Sequence, residues 1–267
     1  MADRPSFDHL EALDFEGLPI VGVMGTLYKD PTVLDAVRYG LALTTAENYQ
    51  KSGLPLVVVD ATPDDSEGAV ILRPALQDRG AVVFGAPRPG LATQQMDGVD
   101  YAVNHCGAER VVRHEPEKTT MINFADNIIY ELGSVDALVI GRSEYAMRTL
   151  PPVQARTERL AGWLLEEHLD FPPDALSGGR AYTRQGAQHL IGYDVEKHGN
   201  NWLYLYHSVL DARSHGLPVG GLRIDLLHPT VMTEEETGNA AFDTKRYEQF
   251  FLQMENLLPP SGYVPLS

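Results

Sequence analysis

The densest chemistry in this chain lies in Arg110-Val-Val-Arg-His-Glu-Pro-Glu-Lys118, an apolar run closed by two carboxylates spaced i, i+2 and then a lysine. In an extended chain alternate residues share a face, so Glu115 and Glu117 offer their oxygens to one point. Carboxylate oxygens suit a hard divalent cation, Mg²⁺ or Mn²⁺, which keeps part of its water shell and bridges to substrate phosphates. Taken alone, Glu-Pro-Glu-Lys is also an ordinary composition for a solvated loop. The elements around it decide between the two.

Those elements alternate. An apolar run over residues 18–26 reads as a buried strand, and residues 31–51 carry a helical stripe of Leu34, Val37, Leu41 and Ala42 that Gly53 stops. A second apolar strand, 54–60, ends in Asp60. Residues 62–66 then start a helix with Ala69, Val70, Leu72 and Leu76 facing inward, followed by a strand at 81–84. Residues 90–106 read as helix or helical loop, the strand ending at Glu115 comes next, and a helix near 121–132 leads to a strand at 137–140. Residues 142–159 are polar, 160–168 helical, and 170–180 form a loop shaped by Pro and Gly. Helices at 185–190 and 202–214, a strand at 220–226 and a polar segment from 234 that ends in a helix near 257 complete the pattern.

Strand-helix alternation predicts an α/β fold with a Rossmann-like, mostly parallel central sheet and helices on both faces. Ligands of such sheets bind outside the carboxyl ends of the strands, where Thr26, Asp60 and Glu115 all fall. The 267 residues, 43% of them hydrophobic, suffice for one large core. The expected organisation is an N-terminal arm (1–17), one domain (18–229) and a C-terminal extension (230–267) packed on the domain or on a second copy, so a homodimer is an option.

Charge and cysteine content exclude some classes. A net charge of −16 opposes binding to nucleic acid or to anionic membranes, and no segment approaches the length of a membrane span. The single cysteine, Cys106, rules out an internal disulfide and fits the cytoplasm. No Gly-x-Gly-x-x-Gly follows the first strand, and the P-loop lysine motif and the hydrolase nucleophile elbow are missing. Cys106 beside His105 reads as a buried thiol, and Trp202, Tyr204 and Tyr206 as core aromatics.

The order of features from Leu18 to Pro229 resembles a GT-A-fold nucleotide-sugar glycosyltransferase. The resemblance implies that Thr26, Leu27 and Tyr28 of Gly25-Thr-Leu-Tyr28 hold the nucleobase, and that Asp60 contacts the nucleoside. Asp60-Ala-Thr-Pro-Asp-Asp-Ser66 looks like a variant of the family's Asp-Asp-Gly-Ser turn. Arg88-Pro-Gly-Leu-Ala92 resembles the loop before a helix that reaches the diphosphate, with Arg88 and Lys118 adding positive charge. Glu115-Pro-Glu117 occupies the place of the Asp-x-Asp metal motif, and His228 of Asp225-Leu-Leu-His-Pro229 resembles the late histidine that completes the Mg²⁺ or Mn²⁺ site. Leu176-Ser-Gly-Gly-Arg180 resembles the acceptor-side loop, Arg180 clamping an acceptor anion.

The resemblance thus implies transfer of a sugar from a nucleotide-sugar donor to a small-molecule acceptor. It departs in two places. Glutamate replaces aspartate at both ends of the metal motif, and His198-Gly-Asn-Asn-Trp202 has asparagine where inverting members carry an acidic base. Either the chain resembles the retaining mannosylglycerate and glucosyl-phosphoglycerate synthases, or the base is elsewhere, at Asp174 or Asp194. Two other classes stay open: a nucleotidyltransferase of related fold, and a catalytically silent member that binds a ligand or a partner.

Overall fold

The computed structural model describes residues 5–7, 10, 13–28, 33–169, 174 and 177–257. Parts of the predicted arm, the helix start at 31, the Leu34 side chain, residues 170–173 and 175–176 of the predicted loop, and the end of the C-terminal extension lie outside the described residues.

Seven strands form one sheet: β1 (Val21–Thr26), β2 (Leu56–Asp60), β3 (Val82–Gly85), β4 (Arg110–His114), β5 (Ala137–Arg142), β6 (Gly179–Thr183) and β7 (Val219–Ile224), in the order β3-β2-β1-β4-β6-β5-β7. All pairs are parallel except those of β6, which runs antiparallel to both β4 and β5. The carboxyl ends of six strands and the amino end of β6 therefore meet at one rim. From β1 the chain winds outward through β2 and β3 and later returns to β1's other side with β4. The crevice between β1 and β4 is thus a topological switch point, where such sheets take ligands.

Alternate side chains divide the core. Val21, Val23, Val57 and Val59 pack under α3 (Leu91–Asp100), α7 (Arg184–Ile191) and α9 (Tyr204–Ser214). Met24, Leu56 and Val58 pack under α1 (Val33–Ser52) and α2 (Glu67–Gln77), while Val112, Leu138 and Ile140 meet α4 (Ala125–Glu131). Helices cover both faces, as the alternation predicts. Gly53 takes φ +68 and closes α1, with Leu54 N–H donating to Tyr49 O at 3.2 Å. Ser66 caps α2 by accepting from Ala69 N–H at 3.2 Å. Ala69, Leu72 and Leu76 of α2 are buried, but Val70, expected inward, is 66% exposed, because it lies one residue off their i, i+3, i+7 face.

Two expectations are corrected. The stretch read as an acceptor-side loop contains β6: Gly179 and Arg180 pair with Ile140 and Val139, with Arg180 also opposite Arg113. A Cβ on Gly179 would meet Met121 and Ile140 at 2.9 and 3.1 Å, so close packing, not a turn, requires that glycine. Second, a helix begins well before residue 160. α6 spans Pro152–Leu169, and its first turns bury Gln154, Thr157 and Glu158, a polar inward face that hides the usual apolar stripe. Short helices α5 (Glu144–Met147), α8 (Val195–His198) and α10 (Thr230–Glu236) and the long α11 (Ala240–Leu257) complete the fold. α11 packs against α6, and α10 against α1. Among the described residues no helix is long and apolar enough to cross a membrane.

Candidate functional site

On the β1–β2 side of the rim the polar groups satisfy one another. Asp60, fully buried, accepts from Thr26 Oγ1 at 2.8 Å, from Thr62 Oγ1 at 2.6 Å and from Arg73 Nε at 2.8 Å. The carboxylate expected to touch a nucleoside is thus engaged by protein donors. Gln94 of α3 ties the strand ends together, its Nε2 donating to Thr26 O at 2.6 Å and to Val59 O at 2.7 Å. Thr26 and Tyr28 are buried, and Leu27 between them is 44% exposed, so the turn after β1 presents Leu27 to solvent. Arg88 donates from Nε to Asp97 Oδ1 at 2.9 Å. Asn200, unable to act as a base, serves the fold instead, because its Oδ1 caps α3 by accepting from Ala92 N–H at 2.8 Å and Thr93 N–H at 3.2 Å.

Across the crevice, β4 ends at His114, and a turn, not the extended chain expected from the i, i+2 spacing, brings Glu115 and Glu117 to Lys118. The segment is held as a fixed turn. Thr45 and Asn48 of α1 donate to Pro116 O at 2.8 Å and Thr119 O at 2.7 Å, and Lys118 N–H returns to Glu115 O at 3.1 Å. Lys118 Nζ lies between the two carboxylates, 3.8 Å from Glu115 Oε2 and 4.0 Å from Glu117 Oε1. Arg113 adds a second cation at 3.3 Å from Glu115 and is itself fixed by Gln95 at 2.7 Å. Behind the turn, burial lowers the His114 pKa to about 4, so its ring is neutral where it bonds Tyr49 Oη at 2.8 Å. Burial raises the Glu117 pKa, but Lys118 and Arg38 outweigh it and hold the carboxyl below its ordinary value.

The third metal ligand implied by the resemblance is placed differently. His228 Nε2 pairs with Glu236 Oε2 of α10 at 3.1 Å, and its backbone N–H donates to Thr149 Oγ1 at 2.9 Å. Among the described residues, Glu115, Glu117 and His228 do not bring their ligand atoms within 4.8 Å of one another. The two glutamates supply carboxylate oxygens of the kind a hard cation takes, and Lys118 Nζ is the cation they hold in this structure.

A second cluster sits at the ends of β5 and β6. Arg142 is buried, its Nη1 donating to Glu158 of α6 and to Asp174 Oδ2 at 3.0 Å, while its backbone N–H also donates to Asp174 Oδ2 at 3.0 Å. The environment pushes the two acids apart. Asp174 is raised to about 6, burial outweighing Arg142, with Glu158 adding repulsion. Glu158 is lowered to about 2, because Arg142 and Arg246 outweigh its burial. A cavity of about 140 Å³ opens on this cluster, lined by Arg142, Glu158, Asp174 and Arg223 with Trp163, 61% exposed, among its walls. Arg180, expected as an acceptor clamp, is instead 1% exposed within β6 and donates to Leu205 O at 3.1 Å and Gly179 O at 2.7 Å.

Several buried polar atoms at this end have no hydrogen-bond partner: Arg142 Nη2, Asp174 Oδ1, His228 Nδ1, Glu236 Oε1 and Arg246 Nε. Their residues feel one another electrostatically, Arg246 with Glu158, Glu236, Arg142 and Glu117, and His228 with Lys118 and Arg142. Sequence reasoning misses Arg142, Glu158, Glu236 and Arg246, which share no motif and are joined only by the fold. Of the expected core aromatics, Tyr204 and Tyr206 are buried, Trp202 is partly so, and Cys106 is a buried thiol.

No protein-family model and no curated protein sequence matches the chain. Solved structures do. Glucosyl-3-phosphoglycerate synthase from Mycobacterium tuberculosis, in complex with Mn²⁺, uridine-diphosphate-glucose and phosphoglyceric acid, aligns over 91% of this chain and 81% of its own, with TM-score 0.52 and 12% identity. The fold is GT-A-like. A mannosyltransferase from Pyrobaculum calidifontis, in complex with GDP-Man and Mn²⁺, aligns over 92% of this chain with TM-score 0.52 and 14% identity. This chain spans 65% of the length of that one.

Proposed function

We propose that this GT-A-like chain transfers a sugar from a nucleotide-diphosphate donor to a small-molecule acceptor. The observation that carries the reading is the set of unpartnered buried polar atoms at the end of β5 and on the helices packed there, within electrostatic reach of Glu117 and Lys118. Buried polar atoms are normally paired, so a concentration of orphans marks a place where a polar ligand completes the bonding. The solved structures of similar fold hold nucleotide sugars with Mn²⁺, which supports the same use of the crevice here.

In this reading the donor lies between the β1 turn, where Thr26, Leu27, Tyr28 and Asp60 shape the nucleoside end, and the Glu115–Lys118 turn. Glu115 and Glu117 would hold Mg²⁺ or Mn²⁺, which when bound supplies charge neutralisation to the leaving diphosphate. Lys118, already between the carboxylates, provides positive charge on the same group, and Arg88 adds to it from the α3 side. Fixing donor and acceptor side by side contributes on the order of 7 kcal/mol or more to lowering the barrier.

The acceptor enters the cavity of about 140 Å³ at Asp174. Asp174 takes the proton of the attacking hydroxyl: its pKa near 6 leaves it ionised at neutral pH yet basic enough to act, and its Oδ1 has no protein partner. Asp194, the other candidate, caps α8 through Glu196 and Lys197 N–H at 3.0 Å and lines a different cavity. Arg180 supports the acceptor side from within β6 and does not clamp the anion itself. The C-terminal extension closes the domain through α11 on α6.

The test is a thermal-shift panel of UDP, GDP, their sugars and nucleoside triphosphates, with and without Mn²⁺, followed by mass spectrometry of products with small acceptors. Metal-enhanced stabilisation by a nucleotide sugar, with sugar transfer, is the expected result. Preference for triphosphates would move the chain to the nucleotidyltransferases, and no response to any nucleotide would make it a silent member of the fold.

A further inference from the structure

Away from the proposed donor site, α7, α8 and α9 enclose a cavity of about 400 Å³ whose walls include His189, Asp194, His198, His207 and Asp211. With His215 just beyond, four of the chain's nine histidines gather on one outer surface. Their spacing is regular. His207, Asp211 and His215 follow at i, i+4 and i+8 along α9, which puts them on one stripe of the helix. His189 reaches the same point from the last turn of α7.

We infer that His189, Asp211 and His215 form a binding site for a borderline transition-metal ion of the Zn²⁺ class, separate from the proposed donor site. The three ligand atoms lie within 4.8 Å of one another, with His189 Nδ1 2.7 Å from Asp211 Oδ2 and His215 Nδ1 3.5 Å from Asp211 Oδ1. Two imidazoles and one carboxylate from two helices match the ligand preference of Zn²⁺, which takes three protein groups and leaves a further position open. The hard ions Mg²⁺ and Mn²⁺ prefer sites richer in oxygen.

The surroundings strengthen this assignment. The cavity lies against Asp211 and His189, so a fourth ligand has room on that side. There, His198 and His207 stack with ring centroids 3.9 Å apart, and His207 Nε2 is buried without a hydrogen-bond partner. An ion held by His189, Asp211 and His215 would join α7, which follows β6, to the end of α9, which precedes β7. It thereby fastens the first and last helices of the one connection that carries the chain from β6 to β7.

The experiment is isothermal titration of the chelator-treated full chain with Zn²⁺ alone, accompanied by the absorption spectrum of the Co²⁺ form. Saturable binding of one ion is expected, with Co²⁺ ligand-field bands typical of nitrogen and oxygen ligands. His189→Ala and His215→Ala, each with a melting temperature near the parent's in the absence of metal, should each weaken binding by at least about tenfold, a loss seen even when an outer partner of a metal site is removed. Glu117→Gln should leave Zn²⁺ binding unchanged, which separates this site from the proposed donor site whether or not that site turns over sugar. Absence of saturable binding, or binding that both histidine variants retain, would overturn the assignment.

Discussion

Asp60 and Asp174 are both buried acids at the same rim, each facing an arginine, yet their surroundings differ in kind. Asp60 is bonded by Thr26, Thr62 and Arg73, and serves to lock the ends of β1 and β2. Asp174 shares Arg142 with Glu158, keeps one oxygen without a partner and has its pKa pushed up to about 6. A completed network rigidifies, whereas an incomplete one stores binding capacity in a low-dielectric setting. The proposed donor side is therefore built as a frame and the proposed acceptor side as a receptor.

Four measurements bear on that contrast. The largest effect is expected at the turn between the two halves: Glu117→Gln should cut sugar transfer by roughly 10²- to 10³-fold, the cost of losing one preorganised electrostatic group, with the melting temperature little changed. Normal turnover in steady-state kinetics at saturating donor would remove Glu117 from the mechanism. Asp60→Ala should instead act on the frame, removing the acceptor shared by Thr26, Thr62 and Arg73, which keeps Asp64, and costing about 2 kcal/mol in urea denaturation. A fall in transfer without loss of stability would show that Asp60 is a receptor group after all.

The third measurement concerns pH. Asp174 is raised in the folded state, so its ionisation opposes folding: its contribution is full below the unfolded value of about 3.9 and is lost as pH rises through about 6. Glu158, lowered to about 2, acts with the opposite sign, its stabilisation being lost as pH falls below the unfolded range. The Asp174 contribution to stability should thus decline between about pH 4 and about pH 6, while kcat/KM rises through about 6 as the base ionises. Asp174→Asn should flatten both limbs, and unchanged profiles would discard its role. The smallest effect is expected from Asn200→Ala, which removes the α3 cap and should cost about 1 kcal/mol by denaturant titration.

The parallel strands are legible in the sequence because continuous apolar runs such as Leu56–Asp60 and Val21–Thr26 are buried on both faces. The grouping of Glu115 and Glu117 with Lys118 comes from a turn after His114 and not from the strand alternation that the i, i+2 spacing suggests. β6 is not legible either, since Gly178, Gly179 and Arg180 look like turn chemistry, and only the fold shows Gly179 chosen to fit beneath Ile140 and Arg180 enclosed between strands. The start of α6 is hidden because Gln154 and Glu158 face inward to serve a buried ion network, beside a Thr157 hydroxyl that bonds carbonyls of its own helix. The placement of His228 has no local signal: its partner Glu236 lies on a helix whose packing against α1 is a tertiary fact.

The antiparallel strand also bears on biosynthesis. While the chain emerges from a ribosome, β4 and β5 are complete long before Gly179–Thr183 arrives to bridge them. Until then each exposes a row of open amide and carbonyl groups, a template for pairing with another nascent molecule. Premature termination anywhere between Arg142 and Gly179 should consequently yield fragments that aggregate instead of folding as a smaller unit.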